Sequence, residues 1–167
     1  DGVDLRIAAG EQVAVIGPNG SGKSTLVRHF DGLLRATTGR VLVGGEPVGR
    51  RHVADLARLV GIVFQNPDRQ IFAGRVRAEV AFGPRNLGMH GSELDERVGA
   101  ALQAVGLSGS EAVNPYDLGY SRRKLLGMAS VLAMATPAVI LDEPTTGQDA
   151  RGVARVREIV AGLAAAG

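Results

Sequence analysis

Residues 17–25 read GPNGSGKST and satisfy G-x-x-x-x-G-K-[ST], with Gly17, Gly22, Lys23 and Ser24 at the fixed positions. Working outward, residues 11–16, EQVAVI, form an apolar run suited to a buried strand. Downstream, Leu26, Val27, Phe30, Leu33 and Leu34 recur like one face of a helix. The loop therefore falls between a strand and a helix, where backbone N–H groups can converge on phosphate oxygens because glycines bring no Cβ to block the approach. The helix N-terminus adds positive potential. Lys23 would place a point charge on the β- and γ-phosphates, and Ser24 would offer a hydroxyl to Mg²⁺. The plainer alternative is a Gly-rich turn capping a helix.

Composition excludes several classes. With 167 residues the chain is long enough for one domain with a sizeable core. The net charge of +2 is too small to imply nucleic acid. No cysteine is present, so disulfides and thiolate metal sites are excluded. The longest apolar stretch, residues 131–141, contains Thr136 and Pro137 and is too short to cross a bilayer. Nothing reads as a signal peptide, so a soluble chain is expected whose membrane association comes through a partner. Both ends look cut, and another buried strand is expected after the last helix.

Along the chain, strands are expected at residues 3–7, 11–16, 40–43, 60–64 and 138–141, with Gly10 turning the first into the second. A helical turn is expected at 53–59. From residue 76 to about 107 the pattern is helical, broken at Gly83-Pro84 and Gly88. Ser92 would cap a helix there, with Asp95 completing an imperfect capping box. Further helices are expected over about 122–135, with Ser121 as N-cap, and over 149–165. Arg122, Arg123 and Lys124 read as a solvated face, or as a basic run meeting phosphate.

Residues 138–144, AVILDEP, are four apolar residues followed by two acids. An acid at the C-terminal end of a parallel strand faces the crevice where open α/β sheets bind ligands. Asp142 is placed to hold Mg²⁺ and Glu143 to polarise an attacking water. A solvated strand end is the alternative. Gln65 closes another strand, where an amide can touch both metal and water.

Taken in order, GPNGSGKST, FQNPDRQIF, DLGYSRR, VILDEP and TTGQD resemble the nucleotide-binding subunit of ABC transporters. FQNPDRQIF followed by AFGPRNLG is similar to the ATPases of energy-coupling-factor importers, which take up cobalt, nickel or vitamins. The resemblance implies an α/β P-loop NTPase fold with a mainly parallel central sheet, an antiparallel β edge and a helical subdomain, truncated at both ends. Residues 1–73 would begin the ATPase core, 74–135 would form the helical subdomain, and 136–167 would return to the core.

Roles follow from the resemblance position by position. Gly17, Pro18, Asn19, Gly20, Ser21, Gly22, Lys23, Ser24 and Thr25 would form the Walker A loop around ATP. Ser24, Gln65 and Asp142 would surround Mg²⁺. Glu143 would be the catalytic glutamate, acting with Gln65 and Lys23. Leu118, Gly119, Tyr120, Ser121, Arg122 and the D-loop Asp149 would serve a partner's site in a head-to-tail dimer.

Here the sequence departs from the family pattern. Where LSGGQ is expected it has LGYSR, losing a serine hydroxyl and gaining a tyrosine. Ser121 and Arg122 are the residues that would compensate. The switch histidine and the adenine-stacking aromatic have no counterpart in the sequence. The degenerate signature beside intact Walker motifs implies a heterodimer with one competent and one weak site; a homodimer tolerating the odd signature is the alternative. A transmembrane subunit would dock near residues 66–82, placing the protein on the cytoplasmic face of the cell membrane. Cargo would be chosen by separate membrane components. Competing readings are a soluble ABC-type ATPase, a phosphate-loop kinase and a catalytically impaired nucleotide binder.

Overall fold

Two apolar runs far apart in the sequence form the parallel pair on which the site is built. The computed structural model describes residues 2–166. The pair is β3 (Val60–Val63) and β4 (Ala138–Leu141), in register Val60 to Ala138 and Val63 to Leu141. Asp142 N–H extends the ladder by donating to Val63 O at 3.0 Å. Both strands are β-branched runs of the kind the pleat favours. β3 is largely buried as expected, but β4 is only half-buried, because it gains its cover from β3 and the helices alone.

Ahead of this pair lie α1 (Lys23–Val27), an antiparallel hairpin of β1 (Leu42–Val43) and β2 (Glu46–Pro47), and α2 (Val53–Leu56). Gly44 and Gly45 turn the hairpin, both at positive φ. After β3 come α3 (Val76–Asn86), α4 (Gly91–Ala104) and α5 (Tyr120–Leu132), and after β4 comes α6 (Ala150–Ala166).

Helices α3, α4, α5 and α6 bury one continuous apolar core with β3. Val76, Val80, Leu94, Val98, Leu102, Leu126 and Ile159 are among its members. The strand–helix contact is close because Gly61 has no side chain: a Cβ there would sit 2.5 Å from Val131 Cγ1 and 2.8 Å from Thr136 Oγ1. Gly61→Val should therefore destabilise the fold by about 1–3 kcal/mol, the usual cost of overpacking. A urea titration reads this as a lowered midpoint, and an unmoved midpoint would show that α5 can retreat from β3 at no cost.

Several expected elements differ. Residues 3–7 and 11–16 belong to no ladder among the described residues. Val3, Leu5, Val13 and Val15 stay exposed, and Ile16 is 92% exposed. A strand exists only through a neighbour that takes its N–H and C=O groups, and among the described residues none lies alongside these runs. The turn between them does form, with Glu11 N–H on Ala8 O and Ala8 N–H on the Glu11 carboxylate. α1 ends at Val27 rather than near Thr38 and Gly39: none of its residues is fully buried, and short helices depend on packing.

α3 runs through Gly83 and Pro84 without a break. Its buried face, Val76, Val80, Ala81 and Pro84, outweighs the hydrogen bond the proline forgoes. α4 begins at Gly91, which places Ser92 inside its first turn rather than at the cap. α5 begins two residues before Arg122, with Gly119 at the cap position in place of Ser121.

Candidate active site

The loop at residues 17–25 is held open by glycine geometry and closed by lysine. Gly20 and Gly22 take φ of 81° and 96°, a left-handed backbone that side-chain-bearing residues rarely adopt. Lys23 Nζ donates to Gly17 O at 2.8 Å and to Pro18 O at 3.1 Å, so its ammonium sits at the centre of the loop's curve. Asn19, Gly20, Ser21 and Thr25 are exposed.

The decisive contact spans the chain. Ser24 Oγ donates to Asp142 Oδ1 at 3.2 Å, joining the phosphate-loop helix to the acidic tip of β4. One residue on, Glu143 takes φ of 47°, a conformation costing a non-glycine residue about 1–3 kcal/mol and characteristic of functional sites. Its carboxylate accepts from Gln65 Nε2 at 2.6 Å and from Thr146 Oγ1 at 3.1 Å. Gln65 follows β3, so the parallel register of β3 and β4 puts the amide and the acid side by side. The four residues Ser24, Gln65, Asp142 and Glu143 thus converge as the sequence anticipates.

Ser24, Gln65 and Asp142 open on a cleft of about 620 Å³, lined also by Arg28, Tyr120 and Thr146 among others. That volume suits a small-molecule ligand. Among the described residues no group of three or more His, Asp or Glu side chains forms a metal cage. A hydroxyl and a carboxylate oxygen on converging elements do fit Mg²⁺, which prefers one or two protein oxygens plus phosphates and water.

The signature segment is bonded within its own chain. Leu118 is buried and Gly119 caps α5. Ser121 Oγ donates to Gln148 Oε1, while Gln148 Nε2 returns a bond to Ser121 O at 3.2 Å. Tyr120 packs on Gly147, leaving no room there for a Cβ. Arg122 donates to Ser110 Oγ at 2.9 Å. Both residues expected to face a partner's nucleotide, Ser121 and Arg122, are thus engaged within their own chain. Asp149 Oδ1 accepts from Gly152 N–H at 2.7 Å, capping α6.

Of the basic run only Arg122 is exposed. Arg123 pairs with Asp68 at 3.1 Å and donates to Leu118 O at 2.7 Å. Lys124 is wholly buried and donates to Glu143 O and Thr146 O. Burial pulls its ammonium below the ordinary lysine range, an effect the Glu143 and Asp142 carboxylates offset in part. A basic residue that opens an apolar stretch of a helix, as in KLLGMA, is the available signal.

Sequence reasoning also passed over two buried polar anchors. Gln70 accepts from Phe64 N–H at 3.1 Å and donates to Gly127 O at 2.7 Å, tying the loop after Gln65 to α5. Glu79, 3% exposed, accepts from Phe72 and Ala73 N–H at 3.0 and 2.8 Å.

Comparison with known proteins gives the family and the fold. The chain is 44% identical over 161 residues to an energy-coupling factor transporter ATP-binding protein, EcfA, of Methanocaldococcus jannaschii, covering 95% of this chain and 58% of that protein. It is 51% identical over 148 residues to a putative ABC transporter ATP-binding protein of Pyrococcus furiosus, covering 89% of this chain and 57% of the relative. The chain thus spans somewhat more than half the length of these relatives.

Among solved structures it matches cbiO1 of Clostridium perfringens, described as part of the ABC transporter complex cbiONQ. The TM-score is 0.84 at 35% identity, over 97% of this chain and 65% of that one. A dimeric ATP-binding cassette bound to ADP and Pi, 24% identical with a TM-score of 0.84, shares the P-loop fold. The family profile described as ABC transporter matches residues 1–146. This chain belongs to the ABC transporter family, as an ATP-binding domain.

Proposed function

We propose that the chain is part of the ATP-hydrolysing subunit of an ABC importer of the energy-coupling-factor class, serving uptake of a metal ion or vitamin. The observation that carries this reading is the meeting of Ser24 with Asp142, and of Gln65 with Glu143, at one cleft. Lys23 and the loop amides would hold the β- and γ-phosphates of ATP. Ser24, with Asp142 and Gln65 beside it, would hold Mg²⁺, which neutralises charge on the phosphates. Glu143 would take a proton from the water whose oxygen attacks the γ-phosphorus, releasing ADP and inorganic phosphate.

Partners follow from two further features. The signature turn of α5 and Asp149 would complete the site of a second ATPase in a head-to-tail dimer. With Ser121 and Arg122 bonded within their own chain, the lent signature is weak, which supports a heterodimer. Phe72 and Phe82 stand edge to face at 4.7 Å, 60% and 49% exposed, beside an apolar groove bordered by Leu33, Val53 and Met134. An exposed aromatic pair of this kind suits a helix from a transmembrane subunit. Among the described residues no helix is long and apolar enough to cross a membrane, so attachment to the cytoplasmic face of the membrane would come through that subunit.

The full-length protein, extracted from membranes in mild detergent, should co-purify with a transmembrane subunit and a second ATPase. Phe72→Asp with Phe82→Asp should release it from the membrane subunit while leaving nucleotide affinity within about threefold, since charged groups are poorly tolerated in the core of such a contact. Purification as a free ATPase with unaltered turnover would overturn the transport reading.

A further inference from the structure

We propose that Lys124 is a positioning residue that holds Glu143 in its working conformation and ties it to the signature turn; this rests on the reading of Glu143 as the base. Lys124 lies one turn after Tyr120 on α5, and its side chain is 0% exposed. Its Nζ donates to Glu143 O at 2.5 Å and to Thr146 O at 2.8 Å. Neither acceptor is a carboxylate, and among the described residues Lys124 forms no ion pair.

Burying an ammonium on two carbonyls is expensive even with the Glu143 and Asp142 carboxylates near enough to offset part of the cost, and an apolar side chain such as methionine would avoid it. The geometry indicates what the lysine does there. Glu143 sits at φ 47°, and such a backbone persists only where its surroundings over-determine it. The Lys124 bond fixes the carbonyl of that residue. Thr146 N–H donates to the same oxygen at 3.2 Å, and Thr146 Oγ1 reaches the Glu143 carboxylate. Lysine, strained backbone and carboxylate therefore form one closed unit.

The unit also extends to the signature. Ser121 bonds Gln148 and Tyr120 packs on Gly147, so the first turns of α5 and residues 143–148 are joined at three places. A shift of α5 that accompanies dimer closure would then move Glu143 with it. Lys124 becomes the link by which engagement of the signature at the partner's nucleotide sets the base at this chain's own.

The test uses the full-length subunit assembled with its partner ATPase. Lys124→Met keeps an unbranched side chain, one atom shorter, and removes the donors; Lys124→Gln, of similar length, keeps an amide donor for one carbonyl. Met should lower single-turnover hydrolysis about 30–100-fold, the scale of a small misplacement of a catalytic group. MgATP affinity should stay within about threefold, and Gln should lose less than tenfold.

In a Glu143→Gln background, Lys124→Met should add nothing, because both act through one group. Unchanged turnover in Met overturns the proposal. So does a parallel fall in affinity and turnover that Gln does not relieve, or a full additional loss on top of Glu143→Gln. If the Met chain does not fold, the Gln chain should still hydrolyse at least threefold more slowly at unchanged affinity, and parity with the parent overturns the proposal. Should Glu143→Gln itself leave turnover intact, it is the assignment of Glu143 that fails.

Discussion

Glu143→Gln should lower ATP turnover of the assembled dimer by about 10²–10⁴-fold while leaving MgATP affinity within a few fold, which is the contribution of a positioned general base. The substitution keeps shape and size. Gln65 Nε2 at 2.6 Å and Thr146 Oγ1 at 3.1 Å would still find an amide oxygen to bond. What goes is basicity at the tip of β4, one residue beyond the Asp142 that meets Ser24. A quench-flow assay separates the bound and hydrolysed states: ATP should bind and stay intact.

The paired change in the partner ATPase decides the asymmetry. This chain's loop, Asp142 and Glu143 are complete, whereas its signature turn is folded back on Gln148 and Ser110. Loss of turnover should therefore follow the change at Glu143 and much less the equivalent change in the partner. If the two subunits contribute equally, or the partner's change alone abolishes activity, the one-competent-site heterodimer is wrong.

The parts legible in the sequence are those that local pattern and packing decide together. β3 and β4 are short apolar runs ending in polar residues. They form as strands where read, and the structure pairs them in parallel, covered by the helices that connect them. α6 starts where Asp149 caps it, and the helical stretch after residue 76 follows from its apolar spacing.

Where reading and structure part, the reason is non-local. Residues 11–16 are as strand-like as β3, yet β structure needs a neighbour, and propensity cannot supply one. The core side of α5 was misread at its most polar point. Lys124 looked like surface beside Arg122 and Arg123, and only the carbonyls of Glu143 and Thr146, brought in from across the chain, explain its burial. The convergence at the cleft was legible for a different reason: metal-and-phosphate chemistry fixes residue types at strand ends, and the register of two strands does the rest.

Lys23→Ala should weaken MgATP binding by about 10²–10³-fold, as two charge-assisted hydrogen bonds of roughly 1.5–3 kcal/mol are lost on the phosphates with little replacement from water. Lys23 has a second task that makes the loss harder to compensate. Its Nζ bonds the carbonyls of Gly17 and Pro18, so the same group that would meet phosphate also draws the loop into its curve. Alanine removes the charge and loosens a bend that otherwise depends on Gly20 and Gly22 at positive φ.

The two effects separate in calorimetric titrations with and without Mg²⁺. Loss of the charge weakens ATP in both conditions. Ser24 and Asp142 remain in place, so Mg²⁺ should still improve binding to the variant by a similar factor. A Ser24→Ala chain should show the reverse, with Mg²⁺-free affinity kept and the gain from Mg²⁺ diminished. Equal affinities for parent and Lys23→Ala would mean that the glycine loop does no more than cap α1. The contact between Ser24 and Asp142 would then be a packing accident rather than the floor of a nucleotide site.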